Sequence, residues 1–296
     1  MTTTDEAAIA DDVDLPLERD AFERAGVDLV LAPWEDDAVA WSRFDLVVVR
    51  TPWNYVEHLS AFRRWLEDLD PTTRLCNPAP LIAWNLDKRY LLDLASRDVP
   101  IVPTQFVDSI ARFREAVADS ARSDIVVKPA ISAGSRSTGR FRTADPATED
   151  LAASILAEGL TVMVQPLASS VDRVGEIGTV VFDGVISHSF RKGPILADGG
   201  GLIGGEYRED ITPTQASDAV LEVVRKASSA ATDHARHHGW VGPHEEFLYG
   251  RFDVVFLDDG SPALLEAELF EPCFFLPTDP ASVDRFVAAV LARLEG

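Results

Sequence analysis

The feature that most constrains this 296-residue chain is a change of pattern near its middle. From Leu15 to about Trp84, helix and strand signals alternate. The run Phe44–Val49 is continuously apolar, as a strand buried on both faces of a parallel sheet must be. Later the strands come in adjacent pairs closed by tight turns. Asp183-Gly184 joins Val174–Phe182 to Val185–Phe190, and Asp258-Asp259-Gly260 joins Arg251–Leu257 to Ala263–Leu269. A chain with both patterns is α/β in its first part and antiparallel α+β in its last. The expected division is an N-terminal α/β lobe at 1–84, a central small lobe at 85–167 and a C-terminal antiparallel lobe at 168–296.

The same reading predicts helices over Pro16–Ala25, Ser60–Leu69, from Asn85 to before Pro100, from Thr212-Pro213 to Gly239, and over Val283–Leu294. Further strands are expected at Asp28–Leu31, Ile101–Val107, Ile125–Lys128 and Thr161–Gln165.

Charge narrows the function. Formal net charge is −22, which argues against sequence-independent nucleic-acid binding, since that rests on Lys and Arg meeting phosphates. Acid spread along the whole chain suits a protein working in strong salt. No signal-peptide core and no long apolar run appears, and Cys76 and Cys273 form no metal knuckle or disulfide framework. The expectation is a protein of the reducing cytoplasm, without a membrane partner.

Lysine is scarce: Lys88, Lys128, Lys192 and Lys226 are the whole complement, against 23 arginines. Three of them sit in motifs, Asn85-Leu86-Asp87-Lys88, Val126-Val127-Lys128-Pro129 and Phe190-Arg191-Lys192-Gly193. A compact ammonium on a flexible stem reaches phosphate oxygens where the planar guanidinium does not fit. Opposite them, Asp253 lies on the first strand of the late hairpin, and Glu266 and Glu268 lie two apart on the second. Strand period puts both glutamates on one face, with Phe252, Val254, Leu265 and Leu269 on the other. Convergent carboxylates of this kind suit Mg2+ or Mn2+; a solvated polar face on a hairpin has the same pattern.

The small, polar stretch Ser132–Gly139, with Ser132, Gly134 and Ser135, could fold over a phosphate chain and donate N–H groups, or be an ordinary surface loop. It is not a Walker loop. Gln165-Pro166-Leu167 ends a strand where a hinge could meet a purine edge, with Glu176 in reach of a ribose, or be a plain connection.

In order along the chain, Asn85-x-Asp87-Lys88, Val127-Lys128-Pro129, Gln165-Pro166, Gly175-Glu176, Arg251-x-Asp253 and Glu266-x-Glu268 resemble the ATP-grasp superfamily. Within it, Val49-Arg50-Thr51-Pro52-Trp53-Asn54-Tyr55, Trp84-Asn85-x-Asp87-Lys88-Arg89-Tyr90 and Leu265-Glu266-Ala267-Glu268-Leu269-Phe270-Glu271-Pro272 are similar to the O-ureido-serine cyclo-ligase (cycloserine synthetase)-like group. The resemblance implies that Lys88, Lys128, the Ser132–Ser135 loop, Gln165, Leu167 and Glu176 bind ATP. It implies that Asp253, Glu266 and Glu268 hold Mg2+, and that Lys128 and Arg251 act on the transferred phosphoryl. Arg50, Trp53, Tyr55, Arg191 and Lys192 are then the substrate side, for a small amino-acid-like compound.

Two departures stand out. Many members have Asn where this chain has Glu268, and members usually begin with an apolar strand where this chain reads Met1-Thr2-Thr3-Thr4-Asp5-Glu6. Either that strand is missing, leaving a sticky edge beside Phe44–Val49 that would favour a homodimer, or the lobe is rebuilt.

The expected reaction activates a carboxyl- or ureido-type group as an acyl-phosphate and then forms a C–N bond, within one molecule or between two. The loops at Ser132–Gly139 and Gly199–Gly205 are candidate lids. An ATP-dependent phosphotransferase or a non-catalytic nucleotide-binding protein stays open. His234, His237 and His238 have metal-compatible spacing but sit at a helix C-terminus, where His meets terminal carbonyls. His188 is a weak candidate for substrate contact, and neither cysteine has a basic neighbour suggesting a thiolate.

Overall fold

The computed structural model describes residues 2–3, 12–120, 124–197, 199–201 and 210–295. Its strands fall into three sheets. β1 (Thr2–Thr3), β2 (Ala32–Pro33), β3 (Val47–Thr51) and β4 (Leu75–Cys76) form a wholly parallel sheet in the order β2-β1-β3-β4. Every residue of β3 is buried. Successive side chains of a strand point to opposite faces, and β3 shows the consequence. Val48 packs with Phe22 of helix Leu15–Arg24 and Phe286 of helix Ser282–Glu295, whereas Val49 packs with Phe62 and Leu66 of helix Leu59–Asp68. The sheet is thus covered on both sides, which is why its central strand reads as an unbroken apolar run.

The place beside β3 is filled by Thr2–Thr3, which pairs with Ala32-Pro33 on one side and with Val49 and Thr51 on the other. The sheet was expected to lack this strand or to be rebuilt; instead a polar, two-residue strand occupies the position. With it goes the sticky edge that suggested dimerisation. The strand expected at Asp28–Leu31 starts later, at Ala32, because ladder bonds begin only where Thr2 supplies a partner.

The second sheet is antiparallel. β5 (Gln105–Val107), β6 (Asp124–Pro129), β7 (Gly139–Arg142) and β8 (Val162–Pro166) take the order β5-β8-β6-β7, with helices Ile110–Ala118 and Ala147–Ala157 packed on one side through Phe113, Ala152 and Ile155. The third sheet, also antiparallel, is β11-β10-β9-β12-β13, built from β9 (Glu176–Phe182), β10 (Val185–Lys192), β11 (Ile211–Thr214), β12 (Tyr249–Phe256) and β13 (Pro262–Glu268). Helix Asp218–His237 covers it with Val220, Val223, Val224 and Ala227.

Two helix expectations are corrected. Thr212-Pro213 does not start the long helix; it lies in β11, an edge strand, where Pro costs no ladder bond from its missing N–H. The helix begins at Asp218, where the Ser217 hydroxyl caps the Val220 N–H. The helix expected from Asn85 to before Pro100 starts only at Tyr90 and ends at Ala95, and a separate helix, Ala79–Asn85, precedes it across a break. In the break the Lys88 N–H leaves the helical pattern and donates to the Ala130 carbonyl at 2.8 Å. That bond fastens Lys88 to the end of β6.

Candidate active site

β12 and β13 pair with Arg251 opposite Glu268 and Asp253 opposite Glu266. Alternation puts all four on one face, while Phe252 and Ala267, also opposite each other, sit in the core beneath helix Asp218–His237. After this the register slips. Val254 faces Leu264, so Leu265 is an extra residue in β13. Such a bulge re-aims side chains. Leu265 and Val255 therefore line the same cavity as the glutamates, although alternation had placed Leu265 with the buried face.

That cavity has a volume of about 750 Å³ and lies between the second and third sheets. Of the residues expected to act, Lys88, Lys128, Ser132, Gly134, Ser135, Gln165, Leu167, Glu176, Lys192, Arg251, Glu266, Glu268 and Trp53 line it. One end is apolar, formed by Val102, Leu167, Ala168, Val171, Val255 and Leu265. The other is a mesh of opposite charges.

In the mesh, Lys88 Nζ lies 3.0 Å from Glu266 and donates to the Ser132 carbonyl at 2.8 Å, while Lys128 Nζ lies 4.0 Å from the other Glu266 oxygen. Lys192 Nζ is 3.1 Å from Asp253 and 3.5 Å from Glu176. The Arg251 guanidinium grips Asp253 through Nε and Nη2, both at 3.0 Å, and also bonds Glu268. Asp253 itself is buried beneath Arg251 and Lys192. The three carboxylates share the expected face, but cations stand between them. Among the described residues, no group of three His, Cys, Asp or Glu side chains is arranged to hold a metal ion. The expected ligand trio thus shares one face but is interleaved with cations: like charges brought together there are held by the nearest ammonium and guanidinium groups.

The protonation pattern follows. Burial works against the charge of Asp253, yet Arg251 and Lys192 hold its carboxyl down to about 2. Burial opposes Glu266 as well, but the Lys88 and Lys128 ammoniums keep it below the usual range. For Glu268, burial and the neighbouring Glu266 and Asp253 carboxylates outweigh Arg251 and the weaker pull of Lys192, and it is pushed up to about 7. Burial lowers Lys128, more than Glu266 can offset, with Lys88 adding to the effect.

The Ser132–Gly139 loop bends into the cavity wall through left-handed residues, Gly134 at φ +58° and, less usually for side-chain-bearing residues, Ser135 at +56° and Ser137 at +51°. Arg136 ties it to Glu57 at 3.0 Å. In the hinge, the Leu167 N–H is taken by the Asp124 carbonyl, and one N–H of the Gln165 amide donates to Thr104. Of the second candidate lid, 202–205 lie outside the described residues.

Several substrate-side expectations change. Arg50 does not reach the cavity. It is 1% exposed, bonded to Glu18 at 2.8 and 3.0 Å and to the Pro272 carbonyl at 2.7 Å, with its guanidinium carbon 3.7 Å from the centre of the Phe274 ring. A guanidinium with no exit to water was met by acids of helix Leu15–Arg24 and its N-cap, which alternation in β3 could not reveal. Arg191 points away, to Thr212 and Asp210. His188 donates to or accepts from Ser187 and meets the Phe274 carbonyl instead of the cavity. His234 stacks on Trp84, with ring centres 4.6 Å apart.

Tyr55 is buried, and its hydroxyl donates to Glu271 Oε1 at 2.6 Å. Glu271 is a cavity carboxylate to which sequence reasoning assigned no role. It lies three beyond Glu268, past the end of β13 where strand period no longer predicts a face, and Asn77 and Asn85 hold the strand end by bonds to the Leu269 carbonyl and N–H. Its one signal was its place in the Glu266–Pro272 motif.

Similarity to known proteins agrees with this geometry. Residues 1–77 match the model of the D-cycloserine synthetase DcsG N-terminal domain. The chain is 36% identical to the cycloserine biosynthesis protein DcsG of Streptomyces lavendulae over 99% of its own length and 97% of the relative's. The chain belongs to the cycloserine synthetase-like group of ATP-grasp ligases. The crystal structure of D-cycloserine synthetase DcsG superimposes with a TM-score of 0.90 at 35% identity, covering 99% of this chain and 98% of that one. D-alanine–D-alanine ligase from Bacillus anthracis, complexed with ATP, shares the fold with a TM-score of 0.64 at 11% identity, covering 100% and 95%. The mixed α/β architecture is thus that of ATP-grasp ligases, and the family resemblance read from motifs holds. This ATP-grasp ligase has no helix among the described residues long and apolar enough to cross a membrane.

Proposed function

We propose that this ligase activates the carboxyl group of a small amino-acid-like substrate with ATP and closes a C–N bond, within the same molecule. The observation that carries the reading is the cavity itself: an apolar end next to a wall where Lys88, Lys128, Lys192 and Arg251 are held by exchangeable carboxylate partners. The apolar end suits the base of ATP and the charged end its phosphates. A carboxylate oxygen of the substrate attacks the γ-phosphorus, and the bond to the β-phosphate oxygen breaks to leave ADP. A nitrogen of the substrate then attacks the acyl carbon, inorganic phosphate leaves, and the nitrogen loses a proton. The intramolecular form is favoured by full-length similarity to a protein named for cycloserine biosynthesis.

Lys88 and Lys128 would take phosphate oxygens in place of Glu266, and Arg251 would steady the transferred phosphoryl. Hard carboxylate oxygens of Glu266 and Glu268, on the cavity face, would hold Mg2+, and the released Lys88 and Lys128 leave Glu266 free to do so. When bound, the ion would neutralise charge between the phosphates and this acidic wall. Trp53 and the Tyr55–Glu271 pair form the substrate side, in the reducing, ATP-supplied cytoplasm.

The experiment is ADP and phosphate release with Mg-ATP, in low and high salt, against a panel of amino acids and O-ureido-D-serine. Release that depends on one substrate and vanishes in Glu266→Gln is the expected result. A phosphorylated product with no free phosphate would overturn the C–N bond-forming reading.

A further inference from the structure

The cations of the cavity wall are all claimed. Lys88 and Lys128 serve Glu266, Lys192 serves Asp253 and Glu176, and Arg251 serves Asp253 and Glu268. Glu271 lines the same cavity and has no such partner among the described residues. It is 8% exposed, its Oε1 accepts the Tyr55 hydroxyl, and its Oε2 is buried with no hydrogen-bond partner. Burial, with Glu268 nearby, pushes its carboxyl well above the usual range, so it keeps its proton until a cation arrives to supply a counter-charge.

The surroundings indicate what that is. A divalent metal seeks several hard oxygens at once, and here one oxygen is already committed to Tyr55. A single ammonium needs one free acceptor. Trp53, whose Nε1 donates to the Glu271 carbonyl at 3.1 Å, lines the cavity beside it and adds an aromatic neighbour of the kind that attracts cations. Trp53 and Tyr55 come from one short 3-10 turn, Trp53–Val56, so both contacts to Glu271 are set by the same element.

We propose that Glu271, held by Tyr55, is the receptor for the substrate's ammonium group. The substrate then completes the charge balance of the site: its carboxyl goes toward the basic wall and its ammonium toward Glu271. This deepens the ligase reading and rests on it for the identity of the substrate class. It makes a free amine a requirement, so that des-amino carboxylic acids of the same length are poor substrates.

The test compares O-ureido-D-serine with its des-amino counterpart, 3-(ureidooxy)propanoate, in wild type, Glu271→Gln and Tyr55→Phe. Turnover is read as kcat/KM, and binding by calorimetry in the presence of a non-hydrolysable ATP analogue. Wild type is expected to prefer the amine-bearing compound by on the order of 100-fold, the effect of leaving one partner of a buried charge pair alone. Glu271→Gln keeps the shape and the Tyr55 bond and should shrink that preference to about threefold or less by the same reasoning, with KM for ATP unchanged. Tyr55→Phe should fall between.

An undiminished preference in Glu271→Gln overturns the subsite and leaves the ligase reading standing. An equal loss on both compounds, relieved by more Mg2+, makes Glu271 a metal ligand and also overturns it. Binding that discriminates the amine through Glu271, without turnover of either compound, supports the subsite and overturns the ligase reading. Failure of wild type to bind either compound overturns both.

Discussion

Two of the buried ion-pair clusters among the described residues, one around Arg50 and one around Arg251, are built differently. Around Arg50, the guanidinium is enclosed by Glu18, Asp14 at 3.6 Å, the Pro272 carbonyl and the Phe274 ring. The Asp14 carboxylate in turn accepts the N–H groups of Phe274, Phe275 and Leu276. None of these charged groups lines the cavity, and the links tie β3 and the N-terminal helix region to each other and to the segment after β13. Around Lys88, Lys128, Lys192 and Arg251 the same chemistry faces a cavity of about 750 Å³. Both are largely enclosed, though carboxylates of the second keep up to 23% side-chain exposure against none in the first, and burial alone does not separate structure from function. Access does, together with the choice of cation: a planar arginine fork fixes partners, whereas lysine's point charge on a flexible stem can exchange them.

If the comparison is right, Arg50→Met should hurt stability and spare the cavity. Removing one member of a buried pair leaves Glu18 and Asp14 uncompensated, at a cost of about 3–5 kcal/mol. Urea denaturation checks this, and the comparison breaks if the variant is as stable as wild type. Lys128→Arg should do the reverse. Charge is kept, yet turnover should fall by about 100-fold, roughly 2.7 kcal/mol in the barrier, with an unchanged melting temperature. Wild-type turnover in ADP release would sink the assignment of Lys128.

A smaller effect concerns pH. Burial pushes Glu18 up to about 7, as it does Glu268, from an ordinary value near 4.5. The folded state therefore holds protons that the unfolded state releases between those values, and stability falls as pH rises from about 4.5 to 7. Glu18→Gln should flatten that slope, since the amide keeps the Arg50 bond without titrating. An unchanged slope would show that Glu18 is charged throughout. The smallest effect should come from an exposed pair belonging to neither cluster, Arg114 and Glu149 at 2.6 Å. Arg114→Ala should leave the melting temperature within error, because water and salt screen such pairs.

The order of motifs along the chain was enough to read the family, and the hairpin pairs were enough to place Asp253, Glu266 and Glu268 on one face. Where signals were local, expectation and structure agree: helix Leu59–Asp68 carries Phe62 and Leu66 inward, and the hairpin of β9 and β10 turns at Asp183-Gly184. Where the deciding contact is distant, they part. Thr2–Thr3 carries no strand signal and becomes one between β2 and β3. The Lys88 segment was helical by pattern and was opened by a bond to Ala130. Glu271 lay beyond the last residue whose face could be inferred.

By itself, then, the sequence determined most of the elements and the shared face of Asp253, Glu266 and Glu268, because these follow from periods of a few residues. Only the tertiary structure decided which cation meets which carboxylate, that Arg50 is sealed by Glu18, and that Glu271 keeps one oxygen unpartnered. Several of those pairings join distant residues, from 32 positions apart for Arg50 and Glu18 to more than 200 for Tyr55 and Glu271. No local period encodes them; they are chosen by which side chains remain uncompensated once the sheets have packed.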